Sequence, residues 1–176
     1  MSAITIRLAT PSDSNSIATL HALSWINTYR GIVPDSYLDN DLQNERKKYW
    51  AKKMAALTAN DFVFIAENER SAVGFIAVLD KPEKGYDALI DNLHVRTDLK
   101  GMGIGGMLMK AAAEKLMSDG KHNVYLWVLN GNDAAAAFYK SKGAQTEDVT
   151  MVNFGGKEVA QTRFVWKALE LLIGIG

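Results

Sequence analysis

Residues 100–106 read Lys-Gly-Met-Gly-Ile-Gly-Gly, four glycines in seven positions, immediately ahead of a helical pattern. Glycine inside a regular element costs about 0.5–1 kcal/mol relative to alanine, so such a cluster marks special dihedrals or something lying close to the main chain. A helix opened by glycines presents unpaired N–H groups at the positive end of its dipole, which suits a phosphate. Gly101, Gly103 and Gly106 formally satisfy the dinucleotide-binding fingerprint G-x-G-x-x-G. Three features argue against that reading. Arg-Thr-Asp-Leu-Lys separates the glycines from the preceding apolar stretch, strand-like runs precede the loop, and the acid expected about 20 residues on is missing. A Walker loop is excluded because no Gly-Lys-Ser/Thr follows. An anion site for a phosphate-bearing ligand survives both exclusions.

The other chemistry-bearing side chains are scattered. The chain has 3 histidines and no cysteine. The absence of cysteine removes disulfides, thiolate metal sites and a cysteine nucleophile, and it is compatible with a reducing cytoplasm. His21, His94 and His122 share no metal-ligand spacing, so no metal site is expected. Twenty Lys+Arg balance twenty Asp+Glu, so no global field favours nucleic acid or an anionic membrane. A small, locally recognised ligand fits better.

The elements that must hold these residues follow from periodicity. Ile4–Thr10 alternates like a strand, and Thr10-Pro11-Ser12-Asp13 combines a cap, an early proline and an acid three residues on, which announces a helix carried forward by Ile17, Leu20 and Leu23. A second helical pattern, after Gly31 and Pro34, places Trp50, Met54 and Leu57 on one face. Two β-rich runs then meet around Asn68, Glu69 and Arg70 as a hairpin, and Ala-Leu-Ile-Asp-Asn-Leu-His-Val follows at 88–95. Beyond the glycines, Ile104, Met107, Leu108, Ala111 and Ala112 mark one helix face. Residues 124–129 read as a strand, 132–142 as a helix ended by Gly143, and the remainder as a hairpin around Gly155 and Gly156. The order β-α-α-β-β-β-α-β-α-β-β predicts an α+β fold with a mixed sheet and one central strand–helix–strand crossover.

At 176 residues, 48% hydrophobic and 23% charged, the chain has the composition of one packed domain spanning 1–176. No stretch resembles a signal peptide or approaches the roughly 20 apolar residues of a membrane span. The C-terminal Leu-Leu-Ile-Gly-Ile-Gly is expected to pack on the core or against a second copy in a homodimer.

Read as Lys100-Gly101-Met102-Gly103-Ile104-Gly105, the glycine loop resembles the [Arg/Gln]-x-x-Gly-x-[Gly/Ala] motif of the GNAT superfamily of N-acetyltransferases. Lys100 stands in place of arginine or glutamine, which keeps a charge but loses the bidentate fork. Downstream, Asn132, Ala135, Phe138, Tyr139 and Gly143 fall in register with N-x-x-A-x-x-F-Y-x-x-x-G-F, with Ala144 where phenylalanine is common. Two weak motifs in the right order make a strong one. The segment Ser24–Asp39 further resembles a stretch found near the acceptor side in a subset of the superfamily.

The resemblance implies a GNAT-like, mostly antiparallel mixed sheet with two splayed strands, flanked by helices. It implies acetyl-CoA as cosubstrate, its pyrophosphate on the backbone of Lys100, Gly101, Met102, Gly103, Ile104, Gly105 and Gly106. The thioester would lie between strands ending near Val95 and Val128, with the backbone of Leu93, His94 and Val95 supplying oxyanion donors. Tyr139 matches the family's proton donor to the departing thiolate, and Asn132 the coenzyme contact, although asparagine there is also the ideal helix N-cap. Asp91, His94 and His21 are the candidate bases. Trp25 and Tyr29, at helical spacing, are candidates for the acceptor pocket. Asp35, Asp39 and Asp41 hint at a cationic amine. The expected activity is direct acetyl transfer to a primary amine of a small molecule or peptide. The rival is a non-catalytic acyl-CoA sensor or interaction module; retention of Tyr139 favours the enzyme.

Overall fold

The computed structural model describes residues 3–174 apart from 41, 70 and 155. Its centre is a seven-stranded sheet: β1 (Thr5–Leu8), β2 (Phe62–Asn68), β3 (Ser71–Leu79), β4 (Ala88–Val95), β5 (Val124–Leu129), β6 (Gln145–Phe154) and β7 (Lys157–Trp166). In space the order is β1-β2-β3-β4-β5-β7-β6, and every neighbouring pair is antiparallel except β4 with β5. Among the described residues the α-helices are α1 (Ser14–Thr28), α2 (Asp35–Asp39), α3 (Leu42–Ala56), α4 (Ile104–Ser118), α5 (Asp133–Ser141) and α6 (Glu170–Ile173). The fold class is the one expected, a mixed sheet with helices on both faces.

The apolar runs of β2 and β3 are nearly continuous because both of their faces are covered. Val63, Ile65, Phe75 and Ala77 pack beneath Ile17 and Leu20 of α1 and Trp50 and Met54 of α3. The alternate residues Phe62, Ala66, Ile76 and Val78 pack against Leu108, Met109 and Ala112 of α4 on the other face. The expected helix start at Thr10 is realised as a 3-10 turn over Pro11–Asp13 that runs into α1. There the Thr10 N–H donates to Asp13 Oδ2 at 2.7 Å, and Arg7 grips the same carboxylate through two 2.9 Å bonds.

Two short helices escape the sequence reading. The five residues of α2 and four of α6 are too few for a 3.6-residue period to register. α6 carries the described part of the apolar tail: Leu172 is buried in the main core and Ile173 packs against it, whereas Leu171 is 48% exposed. The expected hairpins form at β2–β3 and β6–β7, with Arg70 and Gly155 outside the described residues.

Two irregularities shape the middle of the sheet. β4 and β5 pair only at Ala88 with Val124 and Leu89 with Tyr125, then splay. Between β3 and β4 the register jumps from Ala77–Asn92 to Val78–Ile90, so Asp91 is the extra residue of a bulge. Pairing is lost on one side of β4 and bent on the other. The result is a cleft through the sheet.

Candidate active site

The cleft has a volume of about 1170 Å³. Its walls are the splayed edges of β4 and β5, the end of α1, and the starts of α4 and α5.

Strand alternation settles which amides of β4 face it. The Arg96 N–H donates to Val73 O at 2.8 Å, so Arg96 points its backbone at β3, and His94, two residues back, does the same. Leu93 and Val95 must then turn theirs toward the open side. Of the three residues expected to offer oxyanion donors, these two have amides free to do so. The side chain of His94 goes instead to the α1 face, where its ring stacks on His21 with centroids 4.6 Å apart.

At the other end, Gly103 caps α4 in a left-handed conformation, with φ of 82°, and Gly101 has the same φ. The first helical bond is Met107 N–H to Gly103 O at 3.0 Å, which leaves the N–H groups of Ile104, Gly105 and Gly106 directed out of the helix end. Gly105 serves packing as well: a Cβ there would stand 3.1 Å from the Phe138 ring of α5. Lys100, Gly101, Gly103, Ile104 and Gly105 line the cleft, whereas Met102 projects outward, 47% exposed, and Gly106 is set back beside Lys142. These orphan amides, two left-handed glycines and the adjoining Lys100 make a cradle that fits a pyrophosphate.

Asn132 caps α5, its Oδ1 accepting from the Ala135 N–H at 3.2 Å, while its Nδ2 donates to the Tyr29 hydroxyl at 3.5 Å. The capping role expected of it is therefore present. Tyr139 lies two turns along the same helix, 8% exposed, its ring edge-on to Phe138 and Trp166. Burial, and then the neighbouring Tyr29 phenol, raise its pKa well above the ordinary value for tyrosine. The hydroxyl stays protonated throughout the physiological range.

On the α1 side, Trp25 and Tyr29 meet edge to face at 4.9 Å, and both line the cleft with Phe154 of β6. Arg46 of α3 lies over the Trp25 ring at 5.2 Å. Asp91 reaches the cleft wall, but Lys53 holds its carboxylate at 2.5 Å, joined by Tyr49 at 3.4 Å and the amide of Asn92. His21 is buried, and its Nδ1 accepts the indole N–H of Trp50 at 2.9 Å. His94 is partly buried and lines the cleft, with Nδ1 2.8 Å from Ser24 Oγ. Burial foremost, then the charges of Lys100 and Arg46, push its pKa down to about 3. Burial also holds His21 far below its ordinary value. Asp35 and Asp39 do not line the cleft, and Arg30 pairs with Asp39 at 2.5 Å and with Asp35 at 3.6 Å; Asp41 lies outside the described residues.

Two residues of the cleft were not anticipated. Ser24 lies one turn beyond His21 on α1, a spacing that could have drawn attention to it. Lys142, at the C-terminal end of α5, brings its Nζ within 3.5 Å of where a Gly106 Cβ would stand, at the mouth of the glycine cradle. Nothing local in the sequence marks it. No cluster that could hold a metal occurs among the described residues.

Residues 20–144 match the acetyltransferase (GNAT) family. The chain is 26% identical over 172 residues to an uncharacterized N-acetyltransferase, YuaI, of Bacillus subtilis, covering 96% of each protein. It is 32% identical over 152 residues to an uncharacterized N-acetyltransferase of Methanocaldococcus jannaschii, covering 82% of this chain and 62% of that protein. Among solved structures, PaiA N-acetyltransferase from Thermoplasma acidophilum in complex with coenzyme A superposes with a TM-score of 0.73 at 21% identity, covering 91% of this chain and 98% of that one. The structure of yncA from Salmonella typhimurium with its cofactor acetyl-CoA gives a TM-score of 0.68 at 17% identity, covering 94% of both chains.

Proposed function

The chain belongs to the acetyltransferase (GNAT) family and is an acetyl-CoA-dependent acyltransferase, and from that premise we propose that it passes acetyl directly to a primary amine of a small molecule or peptide, with no covalent enzyme intermediate. The observation that carries this reading is the cleft itself: the α4 cradle at one end, unpaired β4 amides in the middle and an aromatic wall from α1 at the other. A phosphate-bearing thioester and an amine would meet there from opposite faces of the sheet.

Each step has a residue in or beside the cleft. The N–H groups of Ile104, Gly105 and Gly106, with Lys100 and Lys142, would hold the pyrophosphate. Coenzyme A supplies the activated acetyl group and a thiolate leaving group. Leu93 and Val95 amides would stabilise the charge developing on the carbonyl oxygen, a contribution typically of about 3–4 kcal/mol per donor. Tyr139, kept protonated by burial, would give its proton to the thiolate.

The three candidate bases are poorly equipped to take the amine's proton. Asp91 is ion-paired, His21 is enclosed with its Nδ1 already accepting a bond, and His94 is too weakly basic. We read the amine as entering neutral and losing its proton to solvent in the cleft. A rival sensor role would share the coenzyme site and lack turnover. Thiol release from acetyl-CoA, followed over a broad amine panel, separates them: amine-dependent release with acetylated product supports the enzyme, and tight coenzyme binding with no product from any amine refutes it.

A further inference from the structure

The proton positions on the two stacked imidazoles can be deduced from their partners. An indole N–H can only donate, so His21 Nδ1, which takes the Trp50 proton at 2.9 Å, must be bare and Nε2 must carry the hydrogen. That Nε2 is buried without a partner among the described residues. His94 follows by a similar argument. Ser24 is only 6% exposed, and the sole hydrogen-bond partner of its hydroxyl among the described residues is His94 Nδ1, at 2.8 Å. Were Nδ1 protonated, the Ser24 hydrogen would be left with no protein acceptor, a cost that a bare Nδ1 avoids. The imidazole proton therefore sits on Nε2.

The two Nε2–H groups differ in where they end. His21 keeps its own inside the core, whereas His94 lines the cleft and its Nε2 is not shut away. A neutral imidazole thus offers the cleft a donor and no lone pair. The charges that act on it are positive: Lys100 from the glycine loop foremost, then Arg46 from α3, which is itself paired with Glu45. The carboxylate of Asp91, three residues back on the same strand, is occupied by Lys53. Such a corner favours an anionic oxygen acceptor over a second cation. It also lies close to the chemistry, because adjacent strand residues are about 3.4 Å apart and the proposed oxyanion donors are the residues on either side, Leu93 and Val95.

We propose that His94 is a specificity-determining residue that donates from Nε2 to the acceptor molecule, and that the acceptor is an amine bearing a carboxylate within a few atoms of its amino group, as in an α- or β-amino acid. This rests on the acetyltransferase reading. The same His94, serving as a donor, is not the base.

Two measurements test it. Long-range proton–nitrogen correlation spectra of the unliganded, nitrogen-15-labelled protein read the tautomers directly. A bare Nδ1 and protonated Nε2 are expected for both His21 and His94, with the His94 preference weakened in Ser24→Ala; a protonated His94 Nδ1 would overturn the assignment. The second measurement is kcat/KM for amino acids paired with their decarboxylated amines, such as leucine with isoamylamine and phenylalanine with phenethylamine. The carboxylated member should be preferred by about 10- to 100-fold, the worth of one hydrogen bond to a charged group, and His94→Phe, which keeps a ring for the His21 stack, should collapse the ratio. Equal or better use of the decarboxylated amines overturns the substrate class while leaving acetyl transfer standing. Acetylation of neither set, when other amines are acetylated, overturns it too. No product from any amine at all defeats the acetyltransferase reading itself.

Discussion

Acidification should cost this protein stability well before its carboxylates titrate, because two imidazoles are held neutral inside it. His94 is depressed to about 3, and His21 is driven further down by burial, by His94 and by the charges of Arg46 and Lys53. In the unfolded chain both regain a value near 6.5. Below that pH the unfolded state binds protons that the folded state refuses, so stability is complete above about pH 6.5 and falls as the pH drops towards the folded values. One pH unit below 6.5, each histidine removes about 1.4 kcal/mol, and the pair about 2.8 kcal/mol. For a chain of this size that corresponds to a melting temperature lower by roughly 5–11 °C at pH 5.5 than at pH 7.5. The paired carboxylate of Asp13, held far below its usual range by Arg7, adds its own loss only in more acidic solution, below about pH 5. Urea denaturation between pH 5 and 7 measures the slope. It should approach two protons in the wild type and one in His94→Phe, whatever that substitution does to stability at neutral pH. A flat wild-type profile, or an unchanged slope in the variant, would show that the folded protein takes up these protons as readily as the unfolded chain.

Tyr139→Phe keeps the ring packed on Phe138 and Trp166 and removes the acid, so kcat should fall by about 10²- to 10⁴-fold while coenzyme affinity and melting temperature stay near wild type; undiminished turnover at every pH would remove it from the mechanism. Gly103→Val imposes a branched side chain on a φ of 82°, costing about 1–2 kcal/mol and displacing the cradle, so calorimetry should find coenzyme A binding lost from a protein that still melts cooperatively. Trp25→Ala empties a buried ring packed on Tyr29 and Phe154, and should lower stability by about 3–5 kcal/mol as well as weakening acceptor binding; a variant as stable as wild type would place Trp25 outside the core.

Much of the protein's architecture is written locally. The glycine cluster at 101–106 announced a helix end with free amides because only glycine takes left-handed dihedrals cheaply, and Gly101 and Gly103 do take them. The cap at Asn132 and the stop at Gly143 lie where their backbone chemistry put them. The apolar runs of β2 and β3 marked a hairpin, and in the fold both of their faces are covered. The two family motifs extended this to a mostly antiparallel sheet with two splayed strands, as the strand order and the short β4–β5 pairing bear out.

What tertiary structure alone decided depends on register and on partners far apart in the chain. The loss of β4–β5 pairing after Leu89 and the bulge at Asp91 create the cleft, and neither is encoded in any one segment, since a strand's pattern does not say where its partner leaves it. His21 and His94 looked like two independent bases. Packing of α1 on the sheet made them a stacked neutral pair, with Trp50 and Ser24 deciding where their protons sit. Asp35 and Asp39 hinted at a cationic amine, but they share Arg30 and do not line the cleft, and Asp91 looked like a base until Lys53 paired with it. A charged side chain's role is set by what lies within about 4 Å of it, and that distance is unrelated to separation along the sequence.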